Sequence, residues 1–248
     1  MTRPPDLVEI AAVAMTAAYN VALNRHLPDA THLPANLAAS GALLLLAHHA
    51  GLGIDDLGLG PDVAGTGVRT GLAIAAGVAG AVVVGAAFPP TRRFFVDEAV
   101  RDHTTAQFAY HALLRIPIAT ALGEELVFRS ALLGLFGRGR APRVAVAMSS
   151  GLFGLWHILP TIESMAMPEP APGGASGATR RQTAGRAAIV AGVVVATAGA
   201  GAAFAAIRLR SRSILTPAVV HTTLNVAAMV AARAVSRTAG PFPAPRPA

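Results

Sequence analysis

Long apolar runs are the feature that most constrains this chain. A helix needs about 20 mostly apolar residues to cross a bilayer, and seven stretches of roughly that size lie between polar or turn-forming residues: 7–24, 33–52, 68–88, 104–137, 144–159, 187–207 and 215–234. Only 13% of the residues are charged, about half the usual share of a soluble domain. The polar surface of a water-soluble fold is therefore missing. We predict an all-α protein, a polytopic transmembrane helical bundle of seven or eight helices.

The number of helices depends on the stretch 104–137. Arg115 and Pro117 interrupt it, so it is predicted to be either one long helix kinked at Pro117 or two shorter helices. Residues 168–186 are rich in Pro, Gly, Ser and Thr, which predicts a flexible loop outside the bilayer. The Pro-rich tail, 236–248, is predicted to be disordered.

The basic residues indicate topology rather than nucleic-acid binding. The net charge is +7, every basic residue is Arg, and the arginines lie between apolar stretches. Their two densest clusters, 138–143 and 208–212, are separated by two predicted helices and should lie on one face, which the positive-inside rule makes cytoplasmic. We expect membrane lipid as a partner, with the arginines in reach of anionic headgroups, and no nucleic acid.

Ionisable side chains inside apolar helices are the second informative feature, because a charge at the bilayer centre costs about 2.5–3.5 kcal/mol on insertion scales. They fall in three clusters, each on a different predicted helix. The first contains Glu124, Glu125 and Arg129. The second and third pair polar or aromatic residues one helical turn apart, namely Phe153 with His157 and His221 with Asn225.

Helical spacing suggests a division of roles within these clusters. Glu125 and Arg129 are four residues apart and can form an ion pair on one face, whereas Glu124 is turned by about 100° and is left free for chemistry. Thr216 is predicted to cap the helix that carries His221, and Pro217 to begin it.

Two kinds of chemistry suit these groups, and the spacing does not decide between them. A carboxylate and a histidine can activate water, while a second histidine and an amide can stabilise an oxyanion. Glu124, His157 and His221 are also a ligand set that zinc accepts, although the H-E-x-x-H pattern of zinc proteases is absent. The alternative without chemistry is a charge patch at a helix end with packed or interfacial histidines.

The three clusters resemble the E-E-x-x-x-R, F-x-x-x-H and H-x-x-x-N motifs of the CPBP family, the CAAX proteases and bacteriocin-processing proteins related to type II CAAX prenyl endopeptidases. The resemblance covers roughly residues 115–230. It implies an intramembrane endopeptidase in which Glu124 and His157 activate water and His221 and Asn225 hold the oxyanion. Glu125, Arg129 and Phe153 would support the site.

This resemblance sets the remaining expectations. Residues 104–235 would form the catalytic core and 1–103 the N-terminal transmembrane helices of a multi-pass protein. The Ala- and Arg-rich, Lys-free composition indicates a bacterial protein, and we expect it in the plasma membrane. The substrate would be a peptide or membrane protein. The glutamate mechanism requires no cofactor, and a divalent metal such as zinc is left open. The alternative function is a non-catalytic membrane scaffold or bacteriocin-immunity protein of the same family.

Overall fold

The computed structural model describes residues 6–165 and 176–238, and within them the fold contains helices and turns but no strand. The α-helices that frame the bundle are α1 (Leu7–Arg25), α2 (His32–His49), α3 (Ala64–Ala87), α5 (Pro142–Trp156), α6 (Ile158–Ser164), α7 (Ser176–Ser211) and α8 (Leu215–Thr238). Short helical turns at Pro89–Arg92, Arg93–Phe95 and Glu98–Asp102 connect α3 to the next long helix.

That next helix, α4, is one continuous run over residues 105–137. Thr104 and Gln107 form a capping box at its start. Its backbone is α-helical over Thr105–Tyr110, Gly123–Glu125 and Leu133–Gly137, and π-helical over His111–Leu122 and Leu126–Leu132. Pro117 lies inside the first π-helical segment. Since Pro removes one backbone hydrogen bond and clashes with the preceding turn, the wider π-helical register lets the chain stay a single helix.

The helices confirm a membrane bundle. Within the described residues, six segments are long and apolar enough to cross a bilayer: Leu7–Arg25, Asp29–His49, Pro61–Ala87, Pro142–Ser164, Thr183–Ser211 and Leu215–Thr238. With α4 in their midst, the architecture is the predicted all-α, multi-pass arrangement.

Three local predictions were wrong. The predicted loop 168–186 is helical from Ser176 onward, because the Pro and Gly-Gly breakers all precede that residue; residues 166–175 lie outside the described part. The predicted tail begins too early, since residues 236–238 complete the last turn of α8; residues 239–248 are likewise outside the described part. Thr216 does not cap α8. Its hydroxyl donates to the Gly67 carbonyl on α3, and Ser213 accepts from the Leu215 N–H instead.

A single apolar core joins the N-terminal helices to α4 and α5. Ala12 and Leu43 from α1 and α2 are buried in the same cluster as Phe128, Leu132 and Phe153. Two of the three helices expected to carry chemistry, α4 and α5, are thus held by helices that precede them. The proposed boundary between residues 103 and 104 stays a prediction.

The two arginine clusters lie at the same end of the bundle, as predicted, because Arg138, Arg140, Arg208 and Arg212 line one common pocket. The first turn of α1 is also at this end. There the carboxylate of Glu9 accepts two hydrogen bonds of 2.8 Å from Arg140. These contacts raise the pKa of the Arg140 guanidinium above its ordinary value, so this cation stays charged.

Gly58 fixes the loop between α2 and α3 at this end. Its φ of +74° lies in the left-handed region, and a Cβ at this position would collide with the Arg208 guanidinium. We expect Gly58→Ala to lower the free energy of unfolding by more than about 1 kcal/mol, measured by thermal unfolding in detergent. Gly77→Ala, where nothing lies within 4 Å of the added Cβ, is the matched control. An equally small change in both variants would contradict this account of the loop.

Candidate functional site

The two adjacent glutamates occupy a special position in α4. Glu124 and Glu125 lie in the three-residue α-helical segment Gly123–Glu125, between the two π-helical segments. Most π-helical stretches are confined to single turns and are frequent at functional sites. Both glutamates contact the same neighbour on another helix.

That neighbour is His221 on α8. Its Nδ1 lies 2.9 Å from Oε1 of Glu125, and its Nε2 lies 3.8 Å from Oε2 of Glu124. Glu124 is outside the pair of Glu125 and Arg129, but it shares the neighbour His221 with Glu125, because this imidazole lies between the two carboxylates. Because an ionised carboxylate only accepts hydrogen bonds, the contact with Glu125 places a proton on Nδ1 and fixes the orientation of the ring.

The expected ion pair between Glu125 and Arg129 is present and deeply buried. Arg129 Nη1 lies 3.3 Å from Glu125 Oε1, and the two side chains are 1% and 0% exposed. Oε2 of Glu125 and both terminal nitrogens of Arg129 have no hydrogen-bond partner among the described residues. A buried pair with unsatisfied groups is costly by itself, which favours a functional reason for its presence.

His157 lies at a break between two helices. It ends α5 and precedes α6, and its Nδ1 is 2.8 Å from the Phe153 carbonyl oxygen one turn earlier. The break is stabilised from outside, because Asn20 on α1 donates to the Trp156 carbonyl at 3.0 Å and Thr161 donates to that of His157 at 2.6 Å. When Nδ1–H donates to Phe153, the remaining ring nitrogen of a neutral imidazole is a hydrogen-bond acceptor.

Aromatic rings enclose these polar groups. The Phe153 ring meets His157 edge-on, with centroids 4.7 Å apart, and the Arg129 guanidinium lies 3.9 Å above it. Phe204 on α7 stacks on His221 at 4.9 Å. Cation–π contacts of this kind are worth most when they are desolvated. Phe153, predicted to support the site, thus contacts both of the other clusters, the first through Arg129 and the third through His221.

Glu124 and His157 share a cavity of about 210 Å³. The cavity is polar for a membrane interior, and its other polar lining residues come mostly from α1, α2 and α4: Asn24, His32, Asn36, Arg115 and Thr120. Glu124 is 12% exposed in its side chain, and its Oε2 has no hydrogen-bond partner within the described residues. The space is sufficient for several water molecules, each of which needs about 30 Å³.

Asn225 and the metal alternative stand apart from this cluster. Asn225 is half-buried one turn after His221, but its side chain forms no hydrogen bond with another residue in the described ranges.

The metal alternative requires at least three ligands close together. Within the described residues, no three His, Asp or Glu side chains form a group that could hold a metal ion. Glu124, His157 and His221 as placed therefore do not form a three-ligand zinc site.

Several polar residues in or beside the cavity lie outside the three predicted clusters. Asn20 and Asn24 are four residues apart on α1, as are His32 and Asn36 on α2, and Asn24 donates to the side chain of Asn20 at 2.7 Å. Polar pairs with this spacing inside apolar helices were a usable signal. The sequence did not indicate a role for Phe204, because a single aromatic residue in an Ala- and Gly-rich helix can equally well pack against lipid or another helix.

Comparison with known proteins agrees with the sequence motifs. Residues 106–227, just under half of the chain, match the family model described as type II CAAX prenyl endopeptidase Rce1-like. No curated protein and no solved structure shows a significant match. The matched range contains all of the residues singled out above for chemistry.

Proposed function

We propose that this chain, which belongs to the CAAX protease (CPBP) family, is an intramembrane endopeptidase that hydrolyses a peptide bond with water activated by Glu124 and His157. One observation carries the proposal. The Glu124 carboxylate lies between a polar cavity that it shares with His157 and the imidazole of His221, inside an apolar helical bundle.

Glu124 suits the role of general base. Its side chain lines the cavity and is 12% exposed, so the carboxylate can accept a proton from water there. His157 has one ring nitrogen occupied by the Phe153 carbonyl, which leaves the other free to accept a hydrogen bond from the same water. General base catalysis of this kind contributes about 10²–10⁴-fold to a rate.

His221 suits the stabilisation of the oxyanion. Since Glu125 holds the proton on Nδ1, Nε2 donates a hydrogen bond only when the ring is protonated. In that state His221 and Arg129 balance the charges of Glu124 and Glu125. Asn225, one turn further on the same helix, would supply a second donor from its amide. Glu125, Arg129 and Phe153 then act by holding His221 and the helices around it.

The environment of the site defines the class of substrate. The cavity is too small for a folded chain, so a peptide segment or an extended part of a membrane protein would enter from the lipid or from the bundle end. We place the protein in a bacterial plasma membrane, with the arginine face in the cytoplasm. A metal is not part of this mechanism.

Cleavage by purified protein tests the proposal. The wild type in detergent is incubated with prenylated and unprenylated peptides of the CAAX type and with transmembrane segments, and new peptide ends are identified by mass spectrometry, with and without EDTA. We expect cleavage in the wild type that survives EDTA and is lost in His157→Ala. Equal cleavage by both proteins would contradict the proposal. A scaffold or immunity protein would instead keep its cellular role when Glu124, His157, His221 and Asn225 are all replaced.

A further inference from the structure

A second pocket lies at the arginine-rich end of the bundle, and it shares no lining residue with the cavity of Glu124. We call it the arginine pocket. It measures about 530 Å³ and is lined by the ends of α4 and α7 and the loop between α2 and α3. Its charged lining residues are five arginines and two aspartates, a net charge of +3: Arg129, Arg138, Arg140, Arg208, Arg212, Asp55 and Asp56.

Two of the five arginines are neutralised by α1. Arg138 donates to Asp6 at 2.7 Å, and Arg140 forms a two-pronged pair with Glu9. These contacts fasten α1 to the loop that follows α4. Each of these two arginines, whose role at this end is structural, is thus paired with a carboxylate.

Arg208 is not matched in this way. It is 5% exposed, its Nη2 donates at 2.6 Å to the backbone carbonyl of Asp56, and its Nε has no hydrogen-bond partner among the described residues. Burying a cation without a paired carboxylate is expensive. An anion in the pocket would supply the missing charge.

Arg129 and Arg212 stand at opposite depths of the same pocket. Arg129 is buried and paired with Glu125 at 3.3 Å, although both its terminal nitrogens lack hydrogen bonds in the described part of the chain. Arg212 is exposed directly after α7 and forms no hydrogen bond or ion pair with a described residue. With Arg208 they give a series of guanidinium groups from the exposed to the buried side.

Neither aspartate forms an ion pair with Arg208 or Arg212 among the described residues. The Asp56 carboxylate accepts a hydrogen bond of 2.9 Å from the Gly53 N–H, and the Asp55 carboxylate lies beside Gly60. Backbone carbonyl groups of their loop accept hydrogen bonds from Arg208. The guanidinium groups of Arg208 and Arg212 therefore favour an anion as the ligand of the pocket.

We propose that the arginine pocket binds a phosphate group, with Arg208 and Arg212 as its main ligands. Guanidinium forks match the tetrahedral oxygens of phosphate and form strong charge-assisted hydrogen bonds with them. The pocket lies where the bundle leaves the bilayer, and apolar side chains such as Leu52, Leu133 and Leu209 also line it. An anionic lipid headgroup and free phosphate present the same chemistry there.

Calorimetric titration of the purified full chain in detergent tests this site. The titrants are short-chain phosphatidylglycerol, short-chain phosphatidylcholine and inorganic phosphate, each at the same ionic strength. The test variant is Arg212→Asn, because asparagine tolerates the left-handed φ of 59° at this position. Arg210→Gln, which removes a charge from a neighbouring exposed residue outside the pocket, is the matched control.

We expect phosphatidylglycerol or inorganic phosphate to bind the wild type and Arg210→Gln alike. Loss of one charge-assisted contact in Arg212→Asn should weaken that binding about ten-fold or more. The titrant that shows this dependence identifies the source as a lipid headgroup or free phosphate. The proposal is overturned if neither anion binds, if phosphatidylcholine binds equally well, or if both variants weaken binding to the same extent.

Discussion

Glu124→Gln is expected to abolish peptide cleavage while the protein still folds and inserts. Glutamine keeps the size of the side chain but cannot take a proton from water, so we expect cleavage to fall by about 10²–10⁴-fold. Stability should change little, since glutamine fills the same space and Glu124 Oε2 contacts His221 only at 3.8 Å, without a hydrogen bond among the described residues. Cleavage rates of purified protein, compared with thermal unfolding of the same preparation, measure both effects.

Glu163→Gln is the matched control for this prediction. Glu163 lies on α6, its side chain is 44% exposed, and it pairs only loosely with Arg25 at 3.5 Å. The same chemical change at this position should leave cleavage intact. A cleavage rate of Glu124→Gln equal to that of the wild type would contradict the proposed mechanism. Loss of folding in this variant would show that Glu124 has a structural role.

The fold could be predicted from the sequence because its main signal is coarse. Apolar runs of bilayer length indicate where helices lie without knowledge of their neighbours, and the family motifs fall on three of these helices. The prediction failed where the answer depended on contacts between segments. Threonine is a common N-cap residue, but the hydroxyl of Thr216 donates to the Gly67 carbonyl on α3. A contact with a distant segment of this kind cannot be read from the local sequence.

The candidate site shows the same limit more sharply. The 100° rotation between successive residues assumes an α-helix, but π-helical segments flank Glu124 and Glu125. Pro117 accounts for the break in the first of these segments. Both carboxylates approach His221, which lies on another helix. The sequence was sufficient to identify the residues of the candidate site. The contact of both glutamates with His221 could be recognised only from the three-dimensional structure.

The buried pair of Glu125 and Arg129 leads to the largest expected effect on stability. Arg129→Met would leave the Glu125 carboxylate without its cation in a site that is 0% exposed, and removing one partner of a buried pair costs about 3–5 kcal/mol. We expect a lower melting temperature and a smaller free energy of unfolding in detergent. Breaking the exposed pair of Arg25 and Glu163 by Arg25→Met should cost less than about 1 kcal/mol.

The double variant Glu125→Leu with Arg129→Met separates stability from activity. Replacing both charges by apolar groups removes the uncompensated carboxylate, and such replacements are often neutral or stabilising, so we expect stability to return close to that of the wild type. Cleavage should stay low, because His221 loses the carboxylate that holds its Nδ1 proton. Full recovery of cleavage together with stability would mean that the pair only maintains the fold, whereas a stable but inactive protein assigns it to positioning His221.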